Sequence, residues 1–511
     1  MDAIGTALAH AFVALLIVVD VIRTLRHGMW RDEMDTFVIA LRSSSLWNLV
    51  PKLYYEHHPA LWYSLVWLVT RVTTNPMSMQ ILHVGLAIGV WVIIYVWSPF
   101  SRIEKLLLLL SYFLFWEYFV ISRDYVLIAL IAFAFIALRE RRPRLELILW
   151  LLLGLLANAH LYGAIWSIAL ATMLALDGVR RRSVSMPGAA IYLILLLFAI
   201  ATVAQPAEFN VAHDVRFNIS RFDADATTPI GAFVPFKIEW VRDALAFISH
   251  PGTAAIPHFW NSDSAVQFIA LTHADTAHPV RLALLFAAPI AACWLVTRDA
   301  LLVLEFALVY LGIVVFENIW NYPGTARHHG IVFLAFIAAA WSARARQPSA
   351  IRSRWLLVAI LLVNAFGGVL TLASALRPFS EGRDTAAWIK QNNLANAFLI
   401  GSQDMRVVTI AGYLGRSIYY LECECSDVYD SGDRGVKRLD KLPANEFGRR
   451  LTQAVALAGQ QDAILIRNQP VTADELKLGA PDLSVTLLTS FTNAETDENF
   501  WVYRVTVQQT P

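Results

Sequence analysis

The feature that most constrains this chain is a succession of apolar runs, each close to the thickness of a lipid bilayer. They fall near residues 3–22, 80–97, 105–121, 125–138, 145–160, 162–178, 188–204, 281–297, 300–317, 328–343 and 355–373. Roughly twenty apolar residues in a helix cross the hydrocarbon layer. In lipid every backbone amide must be paired internally, so runs of this length read as helices. The predicted fold class is a polytopic α-helical membrane protein with about eleven transmembrane helices. Composition agrees: 57% hydrophobic and 16% charged residues, with 17 Trp among 511, depart from a soluble core. A net charge of +1 predicts no nucleic-acid partner. The first run lacks a small-residue cleavage site before the acidic patch that follows, and reads as a signal anchor.

A shorter run, Pro59 to Val72, has the length of an interfacial or re-entrant segment, and charge decides whether it crosses. Arginine-rich connections occur at Arg139 to Arg144, Arg180 to Arg182 and Arg344 to Arg354, and such connections stay in the cytoplasm. If Pro59–Val72 does not cross, all three lie on one cytoplasmic side with Arg102 and Lys105; if it crosses, all three flip outward. The first topology is preferred. It sends outside the loop 23–79, the Arg123-Asp124-Tyr125 turn, the loop 205–280 and everything after about Arg377.

The organisation expected is a membrane domain over 1–375 and an external soluble domain over 376–511. In the tail, short apolar strands alternate with helical patterns, which suggests an α/β domain. Candidate strands are Ala397–Gly401, Ser417–Leu421, Ala463–Arg467, Val485–Leu488 and Trp501–Thr506, with helices near 383–392, 404–414, 445–459 and 472–478. Three Cys are too few for a disulfide framework, and Cys423-Glu424-Cys425 has no second pair or His cluster to make a zinc site.

Ionisable residues beside membrane spans are costly, about 2.5–3.5 kcal/mol each at bilayer depth, so a cluster at one level asks for a function. Asp32 and Glu33 stand in the first polar stretch after the first run. From Asp32 the pattern is helical, with Met34, Phe37, Val38 and Leu41 in one stripe, and reads as a surface-lying helix. Asp32 is then either its N-cap or a general base at the mouth of a membrane cavity. Lys52, His57 and His58, one short loop on, bring positive potential suited to a phosphate. His57-His58-Pro59 also reads as a plain turn, because Pro restricts the residue before it and starts the next helix. Arg123 either pairs with Asp124 or Glu117 to pass the interface or clamps a phosphate with its planar fork. Asn158, His160 and Tyr162, and later Asn321, Tyr322, Arg327, His328 and His329, complete a ring of polar groups at one depth.

The order of these motifs resembles the GT-C superfamily of integral-membrane glycosyltransferases. It is most similar to the bacterial branch with the lipid A aminoarabinose transferases, the lipopolysaccharide-core sugar transferases and, more distantly, the protein O-mannosyltransferases. The resemblance covers about residues 1–375. It implies that Asp32, followed by Glu33, is the catalytic carboxylate. His58, Pro59, Leu61 and Tyr63 match a His-Pro-Pro-Leu-Tyr run, with Ala60 in place of the second Pro. Arg123 and Tyr125 match an Arg-x-Tyr turn, and Arg327-His328 a later Arg-Tyr that departs at its second residue.

The resemblance further implies a polyprenyl-phosphate sugar donor, a glycan, lipid or protein acceptor, and a site facing the periplasm from the bacterial inner membrane. With one carboxylate strongly nominated, the expected outcome is a single displacement with inversion. No organic cofactor is expected. A divalent cation held by Asp32, Glu33, Asp35 and Glu56 is one way to neutralise the phosphate, and nearby Arg and Lys are another. The rival classes are a transporter or flippase of lipid-linked sugars, a polysaccharide ligase, and a signalling scaffold with an external sensor domain. Against transport stand the missing internal repeat and the gathering of polar groups at one face.

Overall fold

The structure is a computed structural model and describes residues 3–54, 56, 58–142, 144–182, 185–204, 233–235, 238–249, 278–319, 325–347, 354–427, 442–459 and 463–507. The chain divides into two compact units. One comprises Met1–Thr24, Glu56–Trp62 and Leu82–Ala373, the other Leu25–Tyr55, Tyr63–Ile81 and Ser374–Pro511.

The helices come in the order α1 (Ala3–Arg26), α2 (Arg31–Arg42), α3 (Leu46–Leu53), α4 (Ala60–Thr70), α5 (Met77–Val92), α6 (Arg102–Leu109), α7 (Tyr125–Arg141), α8 (Glu146–Ala157), α9 (Leu161–Arg181), α10 (Met186–Val203), α11 (Ile238–Ser249), α12 (His278–Thr297), α13 (Ala300–Ile319), α14 (Ala326–Arg346) and α15 (Arg354–Leu370). Six helical stretches among the described residues are both long and apolar enough to cross a bilayer: Ile4–Arg26, Met77–Trp97, Leu161–Arg181, Met186–Val203, Ala300–Glu317 and Arg354–Leu376. The chain is a multi-pass membrane protein. The segment read from sequence as the span 105–121 is not one helix: α6 ends at Leu109, and a single π-helical turn follows at Phe113–Glu117. The backbone of α15 packs into this break. A Cβ on Gly368 would stand 2.0 Å from the Leu110 carbonyl oxygen, so glycine is what permits the approach.

Several arginines that read as topology signals also fasten the first unit by pairing with buried carboxylates. Glu104, fully buried, closes the Ser101 capping box of α6 and accepts from Arg344 on α14 and Arg354 on α15. Arg139 Nη1 donates to Glu305 Oε2 at 2.8 Å, and its Nη2 donates to Ser342 Oγ at 2.8 Å, joining α7, α13 and α14. Removing one partner of such a buried pair costs about 3–5 kcal/mol.

In the second unit, α16 (Gly382–Gln391), α17 (Asp404–Leu414), α18 (Ala444–Ala458) and α19 (Ala473–Gly479) accompany six strands: β1 (Phe398–Ser402), β2 (Ile418–Tyr420), β3 (Cys425–Asp427), β4 (Ala463–Arg467), β5 (Leu483–Phe491) and β6 (Phe500–Val507). The sheet order is β3-β2-β1-β4-β6-β5, with β1 parallel to both β2 and β4 and the other pairs antiparallel. The tail is the α/β domain expected, with β3 added. The alternation signal for β3 is absent because the strand is three residues long and sits on an edge. It is tied to β2 by a turn in which Cys423 and Cys425 form a disulfide around Glu424, which has φ +51°.

Chain order places β2 on one side of β1 and β4 on the other, so the direction of winding reverses at the carboxyl ends of β1 and β4. In open α/β sheets that crevice is the usual binding edge.

The helix read as surface-lying is instead packed. Met34, Phe37, Val38, Ile39 and Ala40 of α2 are buried, and α2 lies against α17, where a Cβ on Gly412 would meet Met34 Sδ at 2.2 Å. An amphipathic stripe looks the same whether lipid or protein covers it.

Candidate functional site

In the first unit four helices begin around one cluster of polar side chains. α4 starts just after His58-Pro59, α7 just after Asp124, α9 just after His160 and α14 just after Thr325. Helix N-termini carry unpaired N–H groups and a partial positive charge. Around them stand His58, Arg123, Asp124, Tyr125, His160, Tyr162 and His328. Their rings form a contiguous set, with centroids 5.0 Å apart for His58–His160, 4.8 Å for Tyr125–His160, 5.6 Å for Tyr125–His328 and 5.1 Å for Tyr162–His328. All but His58 are buried, and its side chain is only 16% exposed. The helix begins at Ala60, so the missing second Pro does not prevent it, and Leu61 N donates to the Asn158 carbonyl at 3.1 Å.

Chemistry fixes which ring nitrogens carry protons. Arg123 Nη2 lies 3.1 Å from His58 Nε2. Because a guanidinium can only donate, Nε2 accepts and the proton sits on Nδ1, 3.0 Å from Asp124 Oδ2. Tyr162 N donates to His160 Nδ1 at 3.1 Å, and Thr325 N donates to His328 Nδ1 at 2.9 Å. Both of those rings therefore carry their proton on Nε2 when neutral. Burial pushes the Asp124 carboxyl up, but His58, His160 and Arg123 outweigh it and hold the group well below the usual carboxylate range. Arg327 acts electrostatically on both His160 and His328. Tyr118 donates to the Arg327 carbonyl at 2.6 Å and stacks on Tyr125.

Glu317 was missed in the sequence. It lies in the apolar run of α13, accepts from Tyr162 Oη at 2.8 Å, and lies 3.2 Å from His329 Nε2. A carboxylate inside an apolar run was the available signal. Asn158 is structural, its amide donating to the Gly154 and Leu195 carbonyls. His57, Asn321, Tyr322 and most of the 205–280 loop lie outside the described residues.

His58, Asp124 and His160 bring three potential ligand atoms within 4.8 Å of one another. The donor set does not fit a divalent metal. With Arg123 donating to Nε2, a metal on His58 Nδ1 would require a ring stripped of both protons, and ligand histidines are neutral. The adjacent guanidinium would also repel the ion. Oxygen-rich grouping of Asp32, Glu33 and Asp35 is likewise opposed, because Glu33 is engaged elsewhere.

That engagement is in the second unit. The N-cap of α2 is Trp30, not Asp32, which stands one residue inside the helix with its side chain 25% exposed. The reading of Asp32 as N-cap is thus corrected: the terminus is set by Glu33, whose fully buried carboxylate accepts from Trp30 N at 3.2 Å and lies 2.7 Å from His27 Nε2. Lys52 Nζ donates to Ser43 Oγ at 3.2 Å and the Arg42 carbonyl at 3.4 Å. It sits at the opposite end of α2 from Asp32, about 15 Å along the helix.

No family model and no curated protein matches the chain. Among solved structures it is similar to ArnT from Cupriavidus metallidurans bound to undecaprenyl phosphate, with 14% sequence identity, 98% of each chain covered and a TM-score of 0.44.

Proposed function

We propose that the protein is a GT-C-type membrane glycosyltransferase that moves a sugar from a polyprenyl-phosphate donor to an acceptor hydroxyl. The observation that carries this reading is the cluster of buried Arg123, His160 and His328 with half-buried His58 and Arg327 at four helix N-termini. Fixed guanidinium and imidazole donors on helix N-termini suit a phosphate, and its place in a membrane protein suits a phosphate on a lipid. In the reaction the acceptor oxygen bonds to the sugar's anomeric carbon as the carbon–oxygen bond to phosphate breaks. Asp32 takes the acceptor proton, and the electron pair leaves with the polyprenyl phosphate, which Arg123 and the histidines stabilise. One base and no second nucleophile give inversion. The site faces the periplasm from a bacterial inner membrane, and the acceptor is a cell-envelope glycan, lipid or protein.

The test is a single-turnover assay with a radiolabelled polyprenyl-phosphate sugar and purified protein. Release of polyprenyl phosphate together with an inverted glycoside is expected. Movement of labelled lipid across liposomes without glycoside would overturn the reading and favour a flippase.

A further inference from the structure

At the ends of α7, α9 and α14 remote from the histidine cluster, the first unit holds a cavity of about 360 Å³. These helices are 17, 21 and 21 residues long, so the cavity lies roughly 25–32 Å along their axes from the candidate site. Its volume is that of a small-molecule pocket. The lining carries charges of both signs: Arg139, Arg181 and Arg346 against Glu140, Glu146 and Asp177. Half of these are engaged within the fold. Arg346 donates through Nε and Nη2 to Glu140 Oε2 and Oε1 at 3.1 and 2.9 Å, and Arg139 is held by Glu305. Among the described residues the side chains of Glu146, Asp177 and Arg181 make no ion pair. They leave the cavity two anions and one cation with which to receive a ligand.

Helix ends of both kinds meet there. α7, α9 and α14 bring carboxyl ends, which favour a cation, while α8 and α10 bring amino ends, which favour an anion. Ser185 marks the amino end of α10, its hydroxyl accepting from Gly188 N at 3.3 Å. Arginines alone would suit an anionic headgroup. Carboxylates in the same wall oppose one, so a matching ligand presents both signs. Its source is indicated by the surroundings. Leu147, Leu176, Val179 and Met186, each the chain neighbour of a lining residue, are apolar and exposed, and α9 and α10 are long and apolar enough to cross a bilayer. A lipid at this level lays its acyl chains on those side chains with its headgroup at the cavity.

We infer that this cavity binds the zwitterionic headgroup of an aminophospholipid, Glu146 and Asp177 taking the ammonium and Arg181 the phosphate. The site is separate from the proposed donor site, and its test reads lipid retention rather than sugar transfer.

The experiment counts lipids retained by the purified full chain in native mass spectrometry after exposure to phosphatidylethanolamine, phosphatidylglycerol or phosphatidylcholine. Phosphatidylethanolamine is expected to be held about tenfold more tightly than the other two, because the glycerol headgroup lacks the cation and the choline headgroup lacks N–H donors for the carboxylates. Asp177→Asn and Arg181→Gln should each weaken its retention by about tenfold, the effect of one lost charge-assisted hydrogen bond. Asp177→Glu keeps the charge and should keep the lipid, which separates loss of the site from loss of the fold. Equal retention of the three lipids, or wild-type retention in both Asp177→Asn and Arg181→Gln, would overturn the inference. Soluble glycerophosphoethanolamine is the competitor that identifies the source. Displacement only at far higher concentration supports a lipid, and displacement at equal concentration would overturn the lipid assignment in favour of a free zwitterion.

Discussion

Arg123 holds one nitrogen of the His58 ring at 3.1 Å, while the other nitrogen lies 3.0 Å from Asp124. Asp124 thereby orients the histidine, and the histidine orients the arginine. Arg123→Ala should weaken binding of a polyprenyl-phosphate sugar about tenfold or more, and Arg123→Lys should recover part of it, because an ammonium lacks the fork. Unchanged donor affinity by equilibrium binding in Arg123→Ala would remove Arg123 from this role.

The same geometry fixes proton positions that nitrogen NMR can read. His58 is expected as the Nδ1–H form, and His160 and His328 as Nε2–H forms at neutral pH. Asp124→Asn should loosen the first assignment and leave the other two. A chelator should leave transfer unchanged, since the donor set suits hydrogen bonds; restoration of a chelator-killed enzyme by a divalent ion would refute that.

Asp32→Asn should fold and bind donor while losing transfer by about 10²–10⁴-fold, the range for a lost general base. The helix terminus is capped through Trp30 and Glu33, so the substitution leaves that cap in place. Near-normal single-turnover rates would move suspicion to Glu33 or Asp35.

Stability of the C-terminal domain should depend on pH in two opposite ways. Burial pushes Glu422 up to about 7 and Glu498 up to about 8, against an ordinary 4.5. Each stays protonated when folded but ionises on unfolding, so its contribution is complete below pH 4.5 and is lost as pH rises through 7 to 8. For Glu475 burial is outweighed by Arg467 and Thr472, which hold it at about 2. Its contribution is present above 4.5 and lost as pH falls toward 2. Thermal melts should therefore be highest near pH 5, and Glu422→Gln and Glu498→Gln should each flatten the decline on the alkaline side. An equally steep decline in both variants would contradict this.

Topology is open to direct labelling. Single cysteines placed in the 205–280 loop and in β5 should react with an impermeant reagent in right-side-out vesicles. Protection of either would mean that Pro59–Val72 crosses the membrane.

Much of this protein was legible in the sequence because the relevant physics is local. Transfer of twenty apolar side chains into lipid depends on composition alone, so the runs that became α9, α10, α13 and α15 were readable as helices. The short continuous apolar runs of β1 and β4 record strands covered on both faces, and the alternation in β6 records a strand covered mainly on one. Tertiary structure decided the rest. Only packing could break the 105–121 run where α15 approaches Leu110, bury α2 against α17, or set the α2 terminus at Trp30 through Glu33. It likewise brought Glu317 to Tyr162 and gave Asp497 to Arg31, pairs separated by 155 and 466 residues. A sequence states what each side chain can donate, accept or bury, but which nitrogen faces which carboxylate depends on contacts between distant segments, and those exist only once the chain has folded.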